Sequence, residues 1–443
     1  MDRCWIDRGI DIKCANIFAD QGAANEKRKT KIVCTLGPAC WSVENLLKLI
    51  DAGMDVARFN FSHGDHASHQ ACLDRLHEAM KQRPHKRVCL MLDTKGPEIR
   101  TGDYEDGISS CEFKKGEKLR IVTDYGFKGN SACIATTYKK LPTTVKKGAV
   151  ILIADGSLSV EVTACGPDYV DTLILNNAKF GSRKNMNLPG AKVELPVCGE
   201  REINDITKFG LPNLMTSIAV SFVQSPQDVL DFRKQLGEKG KHIMIIPKIE
   251  NAEGVRNLEK IVEVSDGIMV ARGDLGMEIP LSKVFLAQKH MIDLCNKAGK
   301  PVIVATQMLE SMISNPRPTR AEVGDVANAV LDGADAVMLS GESANGLFFD
   351  RAVQYLEQTS YEAECCFNYA VYYNTIALQL PPTNPLENLV YNAVRVAYGA
   401  QCEAMITVTN CGTTAQLMAK FRSSQRVIVG TTCDCCERLW VRA

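Results

Sequence analysis

Eight short apolar runs, rich in β-branched residues, limit what this chain can fold into more than any other feature of it. They begin at Lys31 (KIVCTL), Met54 (MDVARFN), Val88 (VCLMLD), Ser217 (SIAVSF), Ile243 (IMIIPKI), Asp266 (DGIMVA), Val302 (VIVAT) and Asp335 (DAVMLS). Continuous apolar runs of this length are what strands buried on both faces look like. Amphipathic stretches of helical period separate most of them, at Val43–Ala52, His66–Lys81, Pro226–Leu236 and Ser282–Lys297. Strand and helix in alternation build a parallel sheet. Successive starts lie 23, 34, 129, 26, 23, 36 and 33 residues apart. A pitch of ~30 residues over eight strands predicts a closed (β/α)8 TIM barrel.

The third interval is too long by roughly a hundred residues, and structureless loops of that size are uncommon in compact domains. It predicts an inserted domain over 96–197. The insertion lacks long helical periodicity and carries short alternating runs from Glu117 (EKLRIVT), Ala149 (AVILIADG), Leu158 (LSVEVT) and Tyr169 (YVDTLIL). That pattern predicts a small antiparallel β-barrel. The large barrel is then expected over 26–95 and 198–365, after an N-terminal segment 1–25. Beyond it, Arg351–Cys365, Leu386–Tyr398 and Thr413–Arg422 read as helices, and runs from Glu403 (EAMITVT) and Arg426 (RVIVGT) read as strands. A sheet of two strands is an unusually small layer, so 366–443 is expected to be a truncated C-terminal α/β domain.

Composition removes several classes of function. Lys plus Arg and Asp plus Glu are both 52, so no overall basic field exists to hold nucleic acid. Apolar residues make up 45% and charged residues 23%, too apolar and too balanced for a disordered chain. Eighteen cysteines in 443 residues are too sparse for a disulfide framework. The segment Met1–Lys13 lacks the layout of a signal peptide, and no apolar run reaches the ~18 residues that span a bilayer. The expectation is a cytoplasmic protein with free thiols and no membrane partner.

In such barrels the chemistry sits where the strands end, and here those ends carry functional residue types. The first ends in Thr35–Pro38, and the second runs into Arg58, Asn60, Ser62 and His63. The third ends at Asp93–Thr94–Lys95, the fifth at Lys248–Asn251 and the sixth at Arg272–Asp274. The last two end at Thr306–Gln307 and Ser340–Glu342. Glu250 and Asp274 have no Cys or His ligand pattern nearby, and oxygen-only donors favour Mg²⁺ or Mn²⁺ over zinc. Lys248 and Arg58 add positive charge at the same mouth. Cations and a hard metal together suit a substrate bearing phosphate and carboxylate. Gly273 allows close backbone approach, and its N–H with that of Asp274 would make an anion cradle.

Several longer segments carry a resemblance: ARFNFSHG (Ala57–Gly64), LDTKGPEIRTG (Leu92–Gly102), PKIENAEG (Pro247–Gly254), MVARGDLG (Met269–Gly276), PVIVATQMLESMI (Pro301–Ile313), PRPTRAE (Pro316–Glu322) and DVANAVLDGADAVMLSGESA (Asp325–Ala344), with NLPGAKVELP (Asn187–Pro196) in the insertion. From about Lys31 to the middle of the last domain the chain resembles pyruvate kinase. The resemblance implies a barrel with a β-barrel lid after its third strand and a C-terminal α/β regulatory domain. It implies transfer of the phosphoryl group of phosphoenolpyruvate to ADP, then protonation of the enolate to pyruvate, with Mg²⁺ and K⁺ as cofactors and a homo-oligomer, a tetramer in the family. By the same resemblance Glu250 and Asp274 are Mg²⁺ ligands, Lys248 stabilises the phosphoryl group in flight, and Arg58 binds phosphate. Gly273 and Asp274 cradle the carboxylate. Thr306 and Ser340 stand near the carbon that is protonated. Asn60, Ser62, Asp93 and Thr94 form the K⁺ site. Thr35, Pro38, Asn60, His63, Arg100 and Lys184 contact nucleotide, and Glu98 is the acid that accompanies K⁺ dependence.

The sequence also departs from the family. Asn345 stands where a Lys often helps hold nucleotide phosphate, Gly324 replaces a usual Ser, and Ala154–Asp155–Gly156 keeps one acid of the lid's usual two. The loop Thr409–Thr414, where some members bind an effector phosphate, has no basic residue. The tail from Thr432 is unlike the family. An inactive or regulatory truncated paralogue is therefore one alternative. A Mg²⁺-dependent lyase forming the same enolate is another, which would need neither ADP nor a lid. Cys433, Cys435 and Cys436 are spaced too closely for a four-ligand zinc site. Cys365–Cys366, Met308 and Met312 are expected to pack, and His66 and His69 to be solvated helix positions.

Overall fold

The computed structural model describes residues 28–379 and 382–431; the cysteine cluster at 433–436 and the segment 1–25 lie outside them. Eight parallel strands close into a barrel in sequential order: β1 (Lys31–Thr35), β2 (Val56–Asn60), β3 (Cys89–Asp93), β4 (Ser217–Val220), β5 (Met244–Ile249), β6 (Ile268–Ala271), β7 (Val302–Ala305) and β8 (Ala336–Leu339), with β8 pairing back onto β1. Each falls on one of the eight apolar runs. Val33, Val56, Met91, Ala219, Ile246, Met269, Ile303 and Met338 fill the inside of the barrel. Residues one position away, such as Ile32, Ala57, Leu92, Ile218 and Ile245, join the outer core beneath the helices. Burying both faces is why these strands needed no polar alternation.

Helices Val43–Ala52, His66–Lys81 and Pro226–Leu236 have the bounds their periodicity predicts, and Ser42, Asp65 and Ser225 cap their N-termini. The helix expected from Ser282 starts at Val284, because Leu281–Lys283 winds as a tighter turn after Pro280. Met308 and Met312 are buried in the outer core.

The long interval holds a β-rich unit. Its six-stranded sheet runs Met186–Asn187, Val150–Ile153, Leu158–Cys165, Tyr169–Ile174, Lys118–Val122 and Cys133–Ala135, and only the last pair is parallel. A ribbon pairs Cys111–Phe113 with Ala178–Phe180. Both cover a separate core around Phe113, Ile121, Tyr138 and Val160. The strands Cys111–Phe113, Cys133–Ala135, Ala178–Phe180 and Met186–Asn187 are too short to show as alternating runs.

After helix Phe349–Cys365 come helices Tyr369–Gln379, Pro385–Gly399 and Thr413–Lys420, and parallel strands Ala404–Val408 and Arg426–Gly430. Tyr369–Gln379 carries no helical period in its sequence: YAVYYNTIALQ is nearly all apolar, aromatic or β-branched and shows no polar face. Thr413–Lys420 ends before Arg422, which takes a φ of 49° and turns its guanidinium back onto the barrel.

Candidate active site

The period of two that packs the barrel also builds its mouth. In β1, β2, β3 and β5 the interior-facing stripe continues outward into Thr35, Arg58 then Asn60, Asp93, and Lys248 then Glu250; after β4 it reaches Ser221. These side chains converge. Lys248 Nζ lies 3.1 Å from Asp93 Oδ1, 2.9 Å from Ser221 Oγ and 2.9 Å from Glu250 Oε1. Arg58 Nε donates to Asp93 Oδ2 at 2.6 Å and its Nη1 to Thr35 Oγ1 at 2.7 Å. Glu250 Oε2 accepts the Phe222 N–H at 2.7 Å.

Charge in this cluster is finely divided. Burial disfavours the Lys248 ammonium, but Asp93 and Glu250 outweigh it and raise its pKa. Burial likewise opposes the Asp93 carboxylate, and Arg58 and Lys248 overcome it and lower its pKa. Asp274, at the start of helix Arg272–Glu278, is pushed up to about 7, first by burial and then by the Glu250 charge, with Lys248 pulling the other way. The Asp274 carboxyl, beside Glu250, therefore lacks enough positive charge around it. A hard divalent cation fits that pair, and Mg²⁺ commonly takes one or two protein carboxylates and leaves its other positions to water and phosphate. Among the described residues no group of three or more His, Cys, Asp or Glu could hold a metal by itself.

A cleft of about 430 Å³ opens between this mouth and the inserted unit. Arg58, Asn60, Ser62, His63, Lys248, Glu250 and Asp274 line it from the barrel, and Arg100 and Lys184 from the insertion. Arg100 is held by Glu98, whose Oε2 accepts from its Nε at 2.8 Å, and Lys184 is fixed by its N–H donating to Thr101 Oγ1 at 2.9 Å. The four residues expected around K⁺ gather at the ends of β2 and β3, where Asn60 pairs with Asp93. Asn60 and Ser62 face the cleft, whereas Asp93 and Thr94 are fully buried beneath it.

Not every expected residue reaches the cleft wall. Thr35 is buried, with its hydroxyl donating to Leu339 O at 2.8 Å, and Pro38 is exposed outside the cleft. Thr306 and Ser340 stand at the ends of β7 and β8, beyond the lining residues. Gly273 packs against Thr306: a Cβ on it would fall 2.9 Å from Thr306 Cγ2. Glu342, one of the residues at the end of the eighth run, is buried and accepts the N–H groups of Leu309 and Ser340, so it ties two loops together. His69 is not solvated, and His66 is only partly so, its side chain keeping 34% exposure. His69 is buried and stacked on Phe61 at 4.4 Å, and His66 Nε2 lies 2.5 Å from Asp205 Oδ1. The aromatic cluster of Phe59, Phe61 and Phe209 draws both rings in.

Sequence reasoning missed Ser221, because the end of β4 carries no charged residue and only its place in the stripe marks it. It also missed Asn187 and Glu278, which meet across the cleft from segments ninety residues apart.

Comparison with known proteins agrees with this geometry. Residues 27–353 match the family model described as pyruvate kinase, barrel domain. The pyruvate kinase of Eimeria tenella is 57% identical over 90% of this chain and 75% of its own length. A cytosolic pyruvate kinase isozyme of Glycine max is 50% identical over 90% of this chain and 78% of its own. A crystal structure of a Cryptosporidium parvum pyruvate kinase superposes with a TM-score of 0.93 at 50% identity, covering 97% of this chain and 88% of that one. A closed barrel with Lys248, Glu250 and Asp274 at its mouth, together with relatives matched over most of their length, makes this chain a member of the pyruvate kinase family.

Proposed function

We propose that this chain is a pyruvate kinase that transfers the phosphoryl group of phosphoenolpyruvate to ADP and protonates the resulting enolate to pyruvate. The observation that carries the reading is Lys248, its side chain 12% exposed, held between Asp93, Ser221 and Glu250 beside Arg58 at the floor of the cleft. Two fixed cations at one point serve a group whose negative charge shifts during transfer, and they are set before the reaction begins. Arg58 binds the phosphate oxygens, and Lys248 follows the charge as the phosphorus–oxygen bond to the enol breaks and the bond to the ADP oxygen forms. Arg100 and Lys184 hold the nucleotide phosphates from the lid side, with His63 and Asn60 below. The Gly273 and Asp274 amides hold the substrate carboxylate. Thr306 and Ser340 lie on the side from which a proton reaches the enolate carbon by way of water. Mg²⁺ on Glu250 and Asp274 would supply Lewis-acid stabilisation of phosphate and enolate oxygens, with K⁺ near Asn60, Ser62, Asp93 and Thr94 adding fixed positive charge.

The same reading makes the protein a cytoplasmic homo-oligomer. Two plant relatives carry the name cytosolic isozyme, and among the described residues no helix is long and apolar enough to cross a membrane. Leu281, Phe285 and Leu286 expose an apolar patch that a second copy would cover. The test is a coupled assay for pyruvate from phosphoenolpyruvate with Mg²⁺ and K⁺, with and without ADP. Pyruvate formation that requires ADP is expected. Pyruvate without ADP would point to a different enolate chemistry, and none at all to an inactive paralogue.

A further inference from the structure

Helix Arg272–Glu278 carries Asp274, the residue placed at the metal, in its first turn and ends against the lid. At its end Met277 meets the lid turn Ala154–Gly156, where a Cβ on Gly156 would lie 3.0 Å from Met277 Sδ. Beside that contact, Asn187 Nδ2 reaches Glu278 Oε1 at 3.5 Å, a stretched hydrogen bond. Asn187 is only 6% exposed, and its Oδ1 has no hydrogen-bond partner. A buried amide oxygen left unpaired is costly. Glu278 is the group placed to relieve it: a half-turn of the amide exchanges its donor and acceptor ends. Burial pushes the Glu278 carboxyl up to about 7, with the Asn187 amide and the Leu188 backbone drawing it down. Its neutral, donating form is therefore accessible. Asn187 is also rigidly joined to the lid, since it pairs with Leu152 and follows Lys184 by three residues.

We propose that Glu278 is a positioning residue that latches the lid to the helix of Asp274 through Asn187, and so sets Lys184 and Arg100 over Lys248. The proposal deepens the phosphoryl-transfer reading above and rests on it for the meaning of the two lid cations. It does not rest on it for the latch itself. If the latch holds the lid, loosening it weakens nucleotide binding and leaves phosphoenolpyruvate, held by the barrel floor, almost untouched.

The test uses the full chain as wild type, Glu278→Gln, Glu278→Ala, Asn187→Ala and the double alanine variant. Two quantities are read: KM for each substrate with kcat, and amide hydrogen exchange over 184–188 without ligand. Removing one partner of a buried polar pair should raise KM for ADP roughly tenfold in Glu278→Ala and speed exchange by a similar factor, with KM for phosphoenolpyruvate within about twofold. Glu278→Gln should restore both, because its amide can donate to Asn187. The double variant should be no worse than either single one. The latch is overturned by unchanged exchange in Glu278→Ala, by additive effects of the two alanines, or by equal losses for both substrates. Should the wild type form no pyruvate, the functional reading falls, and the exchange measurement alone decides the latch.

Discussion

At the scale of single residues, Lys248 concentrates the chemistry. It is almost completely buried, yet three oxygens surround it and its charge is retained. Lys248→Met should lower turnover by at least ~10²–10³, the usual effect of losing one preorganised stabilising group. Binding of phosphoenolpyruvate should suffer less, because Arg58 remains. Steady-state rates with calorimetric binding check this, and near-normal turnover would take Lys248 out of the mechanism. Glu98 gives a second prediction. Its carboxylate holds Arg100, so Glu98→Lys replaces an attraction by a repulsion at the lid. We expect weaker dependence of the rate on K⁺, since the new ammonium supplies charge internally, and a higher KM for ADP. Rates in K⁺ and in tetramethylammonium measure the first effect. Equal wild-type activity in both salts would sink the idea.

At the scale of elements, the loops after β6, β7 and β8 are held by buried polar ties. Thr306 and Gln307 take φ values of 75° and 56°, conformations that cost side-chain-bearing residues free energy. Arg272 stabilises that turn, with Nη2 donating to Thr306 O at 2.7 Å and Nη1 to Asp325 Oδ1 at 2.8 Å. The following helix, Arg320–Leu331, starts with a capping box in which Glu322 accepts from Thr319 and also from the N–H and hydroxyl of Ser311. Burial alone would raise the Glu322 pKa, but the bonds from Ser311 and Thr319 outweigh it and lower it. A depressed carboxyl pKa stabilises the fold above the ordinary value of 4.5, and that contribution is lost as the pH falls through the folded value. Glu322→Ala should therefore destabilise by about 1–2 kcal/mol at pH 7. The difference from wild type should shrink on acidification. Urea midpoints at several pH values test it, and a constant difference would contradict the assignment.

At the scale of the whole molecule, a buried ion pair fastens the C-terminal unit to the barrel. Arg422 Nη1 donates to Asp335 Oδ1 at 2.6 Å, and Nη2 donates to Asn296 and Gly333 O. Asp335 immediately precedes β8, so the tie reaches the strand that Ser340 follows. Both side chains are under a tenth exposed, so removing one leaves an uncompensated buried charge. Arg422→Ala should cost about 3–5 kcal/mol and lower the melting temperature, as calorimetry would show. A change within 1 kcal/mol would mean that water replaces the arginine without loss. Elsewhere this unit is more open. Ile406 and Val408 expose one face of its two-stranded sheet, and in the loop Thr409–Thr414 the Thr409 hydroxyl already accepts the Gly412 N–H.

Sequence alone determined the barrel, because strands buried on both faces must be apolar throughout and eight of them recur at one pitch. It also determined which residue types crowd the mouth, since a strand's interior stripe simply runs on into Arg58, Asp93, Lys248 and Glu250. Tertiary structure decided how those residues divide the work. Thr35 looked equivalent to its neighbours but is consumed beneath Arg58, and Glu342 became a tie between loops rather than a free charge. His69 left the solvent, and His66 did so in part, because Phe209, distant in sequence, joins Phe59 and Phe61 around them. Ser221 was marked only by its place in the stripe, and nothing local marked Asn187 and Glu278 as partners. Their roles arise only where β4 passes Lys248 and where the lid folds back over the barrel, for a side chain's partner across space is set by packing and not by periodicity.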